Sequence, residues 1–556
     1  MVRAFLSIAI VLLAAGCPRR GAAPSDAGGG GPTVLRCDGA GCPDADRGAI
    51  PVDGGEITIH LDAEPAILCD LVEHDAYGRW IVENQVQETL LFQDPWTGAI
   101  GPRLAERWEE TPEALTLHLR AGVTWHDGQP FTAADALFTL EKARDPKVGA
   151  DQRADLAPVR AVESPDPQTL VLRLGRPAPL LRQTLAHLAI LPRHLYDGKD
   201  LRRAPTSRAP VGTGPFKFVR WKTGEELVLE ANPAYWGGKP HLQRVTFRFI
   251  RDKAVALQLY RRGELDVMWR LPSPQAAAEV ERDAALAGDR IFAWTPRAYY
   301  FVVWNTRRGP LGDARVRRAL TMLTDRARFL QIAFAGRARP VTGPYPLGTA
   351  SYAADVGAPP FDVKQARALL DEAGVKELSL TFLATTGSRT VEQLATLMKE
   401  DFARAGVKLE VASVDFPVLL ERLRAHDFDV SALQWTISLE QDNYNMFHSS
   451  QAAGGQNYGA WASPEADQLL DEIRRTADDG ARHQLDQALH RLIAREQPYT
   501  FLGSPEVQTL VRGRVRGLTP STDGFSLARA WVAPLAPPSP SPPPPPSPPS
   551  EAKRAP

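Results

Sequence analysis

Along residues 115–138 the chain reads LTLHLRAGVTWHDGQPFTAADALF, and Leu115, Leu117 and Leu119 alternate with Thr116, His118 and Arg120. One face of an extended segment is therefore apolar and the other polar, which predicts a half-buried strand. Asp127-Gly128 supplies the left-handed backbone angles of a tight turn, and Pro130 keeps the chain extended beyond it. Thr132, with Asp135 three residues later, predicts a reciprocal cap on a helix carrying Ala136, Leu137 and Leu140.

The same patterns recur downstream. Glu56-Ile57-Thr58-Ile59-His60-Leu61 and residues 169–174 alternate as strands, and residues 211–221 bring a glycine-permitted turn into another. A helix from Lys253 to Arg262 ends at Gly263, a natural left-handed cap. After Tyr299 to Asn305, which reads as a crossover strand, Asp313 caps a helix carrying Val316, Leu320, Leu323 and Leu330 that ends near Gly336. Strands at 378–384, 407–414 and 428–435 then alternate with helices at 391–404 and 417–425. Such alternation predicts parallel βαβ units, whose ligands bind beyond the carboxyl ends of the strands. That rule points to the loop from Trp435 to Tyr444.

The two ends follow no such pattern. Arg3 precedes an apolar run from Ala4 to Ala15, long enough for an export signal and short of the ~20 residues that span a bilayer. Residues 18–55 are rich in Gly, Ala, Pro and Asp and predict a flexible tether; residues 534–556 predict an exposed Pro/Ser-rich tail. Within the tether, Cys37 and Cys42 lie close enough for a small disulfide loop, with two free thiols as the alternative. Cys69 is left over as a buried apolar side chain.

At 556 residues the chain needs more than one core. Its 65 basic and 66 acidic residues nearly cancel, so no bulk attraction to nucleic acid is implied. The chain carries no HExxH, GxSxG or P-loop, and Gly212-Thr213-Gly214 opens no helix, which argues against an enzyme, a metal site or a nucleotide cofactor.

The opening stretch resembles the signature of the family 5 extracellular solute-binding proteins, the peptide and nickel-chelate receptors of ABC importers. Further landmarks stand in the expected order: Leu104 to Trp108, Leu191 to His194, Val211 to Phe216, Asn232 to Pro240, Gly263 to Val267 and Val316 to Leu320. The resemblance implies an α/β, bilobed periplasmic-binding-protein fold of class II with an extra small domain in the first lobe. On that basis lobe I comprises residues 56–92, 175–295 and 500–533, the extra subdomain 93–174 and lobe II 296–499. Residues 1–17 end in LAAGC, which resembles a lipobox and implies lipidation of Cys17, although Ala14 stands where leucine is usual.

The resemblance also implies a monomeric, exported, lipid-anchored receptor facing the periplasm, capturing a small solute and delivering it to an ABC permease. A peptide is the favoured cargo; an oligosaccharide, a metal chelate or a transporter-independent sensor or chaperone role are the alternatives. The expected ligand-contacting residues are Trp435, Ser438, Glu440, Asp442, Tyr444, Tyr300 and Asn305. Peptide receptors of this kind place an aspartate three residues after the tryptophan to pair with the peptide's amino terminus. Here that position is Ser438, leaving Glu440 or Asp442 to take over. Core packing remains open for Trp435, and loop capping for Asp442 and Asn443.

Overall fold

In the computed structural model, which describes residues 30–38, 41–72, 76–83, 85–521 and 524–534, the strand read first runs from Ala114 to Leu119 with all three leucines buried. It lies in a four-stranded sheet between Ala105–Thr111 and Thr169–Leu174, with Val159–Asp166 beyond. Helix Ala133–Arg144 follows, and the Thr132 amide donates to the Asp135 carboxylate at 3.0 Å. The core under this sheet reaches back to Cys69–Val72 and on to Leu181–Ala204, so the subdomain is larger than residues 93–174. Burial in that core pushes the Cys69 thiol up to about 12.

Lobe I is built on an eight-stranded sheet. Its order is Thr33–Arg36, Arg290–Trp294, Val507–Val511, Val267–Met268, Glu56–Leu61, Arg244–Phe249, Glu226–Ala231 and Phe216–Lys222. Its first strand corrects the expectation of a tether running to residue 55. Thr33–Arg36 pairs in parallel with Arg290–Ala293, and Asp46 holds Arg290 and Arg516 at 2.9 and 3.0 Å. Its apolar pattern is too short to reveal it: only Val34 and Leu35 of the strand, with Cys37 and Cys42 beyond it, pack against the lobe I cores, and ladder bonds and ion pairs supply the rest. The expected lipid site at Cys17 and the tail from residue 535 lie outside the described residues.

Lobe II carries a six-stranded sheet ordered Ala338–Pro340, Tyr499–Pro505, Ala298–Trp304, Val430–Thr436, Leu378–Thr385 and Val407–Val414. The last three strands are parallel as expected, but Ala298–Trp304 runs antiparallel to both neighbours. Because Tyr499–Pro505 pairs here, lobe II extends to residue 505 rather than ending at 499. Alternate residues serve opposite faces: Val302, Trp304 and Phe382 pack under one helical layer, Phe301, Val303 and Leu383 under the other. The single helix expected from Asp313 to Gly336 is two, Ala314–Met322 and Arg326–Phe334, because Asp325 caps the second through the Arg328 amide at 2.9 Å.

The lobes are joined where Trp294 and Val507, the last pair of one ladder, give way to Tyr300 and Gly503 in the next. Ser504 donates to the Pro296 carbonyl at 3.0 Å between them. Beside this ribbon Arg337 of lobe II grips Glu281 of lobe I through two hydrogen bonds of 2.8 and 2.7 Å.

The landmark residues meet one another at the junction of lobe I and the subdomain. The Gly212 amide donates to His126 Nδ1 at 3.2 Å, so Nε2 carries the proton and donates to the Gly214 carbonyl at 3.0 Å. Burial keeps this ring neutral, its pKa pushed down to about 4. A Cβ on Gly212 would stand 1.6 Å from the Val86 carbonyl oxygen, so the glycine serves close backbone approach. His194 pairs with Asp127 at 2.7 Å. Glu88 accepts from Thr213, Tyr235 and Trp236 at 2.9, 2.8 and 2.7 Å, and its burial raises its pKa.

Candidate ligand cleft

A cavity of about 400 Å³ lies between the lobes. Lobe I contributes Cys37 and Asp38 from the N-terminal strand and the Pro95-Trp96-Thr97 turn, which Asp94 organises by accepting from the amides of Trp96 and Thr97 at 3.0 and 2.7 Å. The hinge contributes Arg297 and Tyr299, and lobe II contributes Arg339, Tyr345 to Ala350, Leu439, Glu440 and His483. Arg297 donates to the Pro95 carbonyl at 2.7 Å, tying the two sides together. A second cavity of about 130 Å³ separates Asp155 to Leu181 of the subdomain from Glu440, Asp442, Arg474 and Arg482.

Two arginines neutralise the acidic loop that divides these cavities. Glu440 takes Arg482 at 2.9 Å and His483 at 3.3 Å, while Asp442 takes Arg474 at 2.8 and 2.5 Å. The Arg474 guanidinium lies 3.7 Å above the Tyr444 ring, which stacks on His448.

The residues after Val341 form a cleft wall because they are pinned to helix Asp479–Glu496. Buried Asp486 accepts from Tyr345 at 2.9 Å and from Ser351 at 2.7 Å. His490, one turn on, lies 3.1 Å from the Thr342 hydroxyl and accepts from the Ala353 amide at 3.1 Å. A Cβ on Gly343 would stand 2.2 Å from the His490 ring, which explains a glycine at that position. Burial pushes Asp486 up to about 6 and His490 down to about 4, so the ring stays neutral.

The seven residues expected at the ligand separate into groups. Glu440 lines both cavities and Asp442 the smaller one; Tyr444 sits behind them against Arg474. Ser438 is exposed on the same loop, its amide donating to Gln441 at 2.9 Å. The other three line neither cavity. Trp435 stacks between Phe301 and Tyr458, Tyr300 packs on Phe334 beneath the other sheet face, and fully buried Asn305 donates to the carbonyls of His426 and Phe428 at 2.9 and 2.8 Å. Alternation along a strand with helices on both sides cannot say which face borders a cleft. Sequence reading missed Trp96, Arg297, Tyr345 and His483; the Asp-Pro-Trp-Thr-Gly and Gly-Pro-Tyr-Pro stretches were the available signals, as turns built to hold an aromatic ring. Among the described residues no group of three or more His, Cys, Asp or Glu side chains is placed to hold a metal ion.

Two sheets joined by a ribbon around a walled cavity match a known family. The profile of the bacterial extracellular solute-binding proteins, family 5, middle region, covers residues 99–457. This chain belongs to that family. Di/tripeptide-binding protein 4 of Pseudomonas aeruginosa (strain UCBPP-PA14) is 31% identical over 461 residues, covering 77% of this chain and 85% of that one. The oligopeptide-binding protein AppA of Bacillus subtilis (strain 168) is 26% identical over 509 residues, covering 87% and 92%. Its structure in complex with a nonapeptide superposes with a TM-score of 0.73 over 87% of this chain and 100% of that one. AgaA, solved in complex with agropinic acid from A. tumefacien R10, is 25% identical with a TM-score of 0.70, covering 87% and 99%. Members of the family are bacterial extracellular solute-binding proteins.

Proposed function

We propose that this protein is the cargo-binding component of an ABC importer, exported, held at the membrane through acylated Cys17, and monomeric, closing its lobes on a short peptide that it passes to a permease without chemical change. The observation that carries this reading is the cavity walled by both lobes, where the Asp38 carboxylate and the guanidiniums of Arg297 and Arg339 surround the aromatic Trp96, Tyr299 and Tyr345. A short peptide presents an ammonium, a carboxylate and an amide backbone, and such a wall answers each of them. Relatives named for oligopeptide and di/tripeptide binding support the same cargo class. Lobe closure removes both faces from water, and cargo shifts the open and closed forms by its greater affinity for the closed one.

One observation favours a second cargo. Ser438 offers no charge, and Glu440 and Asp442 are already paired with arginines, so this loop keeps no uncommitted carboxylate for a peptide ammonium. An acidic amino-acid conjugate or an amino-blocked peptide fits that wall, and AgaA with agropinic acid is a relative of that kind. Mass spectrometry of the small molecule that co-purifies with the intact chain, followed by calorimetry with free and N-acetylated di- to hexapeptides, separates the two. Tighter binding of the free peptides supports the first reading; binding only of the acetylated series supports the second.

A further inference from the structure

The smaller cavity holds a charge that the cleft wall leaves unused. Its volume of about 130 Å³ is too small for a peptide and comparable to the ~150 Å³ space that takes one benzene ring, so it suits a single side chain. Glu440 lines it and the larger cavity alike, which makes it a side pocket of the cleft rather than a separate hole. Part of its wall is apolar, built from residues 177–181 of the subdomain together with Ile473 of lobe II.

Four carboxylates line the rest, and three of them are committed. Glu440 holds Arg482 at 2.9 Å, Asp442 holds Arg474 at 2.5 Å, and Asp486 accepts from the Tyr345 and Ser351 hydroxyls. Asp155, from the subdomain side, has no hydrogen bond or ion pair among the described residues. Its backbone is well anchored. Leu156 beside it is fully buried in the subdomain core, Gln152 donates to the His187 carbonyl at 3.2 Å, and Arg144 donates to the Val159 carbonyl at 2.6 Å. Asp155 keeps one side in solvent, yet burial of its carboxyl, with the Asp442 and Asp151 charges, pushes it up to about 6 against the pull of Arg474. Above that pH the cavity holds an ionised carboxylate without a countercharge. Arg176, the remaining charge in the wall, is exposed, where water and salt screen it.

We propose that this cavity is a side-chain subsite that selects a lysine-like group on the cargo, its aliphatic stem laid on residues 177–181 and Ile473 and its ammonium paired with Asp155. A lysine side chain divides in that way between an apolar stem and a charged head. The preference comes from the charge, since a neutral group of the same shape buries the stem and leaves the carboxylate unpaired. The inference rests on the peptide reading above and adds to it the kind of residue that the peptide carries.

The test uses the intact chain above pH 7, with folding checked by thermal unfolding. Calorimetry measures trialanine carrying either lysine or the uncharged near-isostere norleucine at its first, second or third position. At one position wild type binds the lysine member roughly tenfold more tightly than the norleucine member, and Asp155→Asn brings that ratio to within about twofold of one. A wild-type ratio within about twofold of one at every position overturns the inference and leaves the peptide reading standing. So does an Asp155→Asn variant that weakens lysine and norleucine peptides equally, the result expected if Asp155 served only to attract Arg474 across the gap or to hold the peptide's own amino terminus. Failure of wild type to bind any member overturns the peptide reading, and the inference falls with it.

Discussion

Replacing Asp486 with asparagine isolates the cost of burying one carboxylate behind the cleft wall. The residue is 4% exposed and accepts from the Tyr345 and Ser351 hydroxyls at 2.9 and 2.7 Å, and its charge loses more to desolvation than those bonds and the nearby Arg482 and His483 charges return. Its pKa is pushed up to about 6, against about 3.9 in an unfolded chain. The folded protein therefore holds a proton between pH 4 and 6 that the unfolded chain has released. Stability from this group is full below pH 4, falls as pH rises through 6 and is flat above. A gap of about two pH units corresponds to ~3 kcal/mol. Urea unfolding of wild type and Asp486→Asn at pH 4, 5, 6 and 7 reads it directly, because every other titrating group cancels in the difference. The advantage of wild type over the variant should shrink by ~3 kcal/mol from pH 4 to pH 7, which for a lobe of about 200 residues moves the relative thermal midpoint by roughly 6–12 °C. Parallel pH profiles for the two proteins would refute the reasoning.

Three further outcomes follow from the contacts described. Glu88→Ala strands the donors of Thr213, Tyr235 and Trp236 and should lower stability by about 3–5 kcal/mol in urea unfolding, while the folded fraction keeps wild-type ligand affinity. Trp435→Ala opens a hole in the stack between Phe301 and Tyr458 and should cost about 3–5 kcal/mol in the same assay; a folded protein of full stability with lost binding would instead return Trp435 to the cleft. Arg337→Ala breaks the bond to Glu281 across the hinge and should weaken ligand binding by roughly twofold to fivefold, with a larger unliganded radius of gyration in X-ray scattering.

Local physics made much of the fold legible. The strand, turn and capped helix from Ala114 to Arg144 depend on neighbours in sequence, and so do the strand and helix alternations of lobe II. The landmark residues were legible as a family signature for a different reason: His126 bonds to the Gly212 and Gly214 backbone at the junction of subdomain and lobe, and Thr213, Tyr235 and Trp236 converge there on buried Glu88, which the sequence reading did not single out. That junction lies apart from the cavity wall, which is why the signature identifies the receptor class and not the cargo. The wall itself was hidden. Trp96, Tyr345 and His483 lie far apart along the chain and meet only because Asp486 and His490 hold one loop against a helix and a disulfide holds another against Trp96. Tyr300, Trp435 and Asn305, expected at the ligand, line neither cavity, and a strand buried on both faces gives no sign of which side meets an opening.

The paired strands that pass from one lobe to the other form a narrow ribbon whose ladder runs from Trp294 and Val507 to Tyr300 and Gly503. A ribbon of two strands flexes more easily across its thin dimension than within its plane, so the lobe closure proposed above would follow a book-like swing. The separation of two surface points on opposite covers then rises steadily with the degree of opening. Exposed Val255 on lobe I and exposed Val418 on lobe II offer such points for a pair of fluorophores. Energy transfer between them would convert occupancy of the cleft into an optical signal.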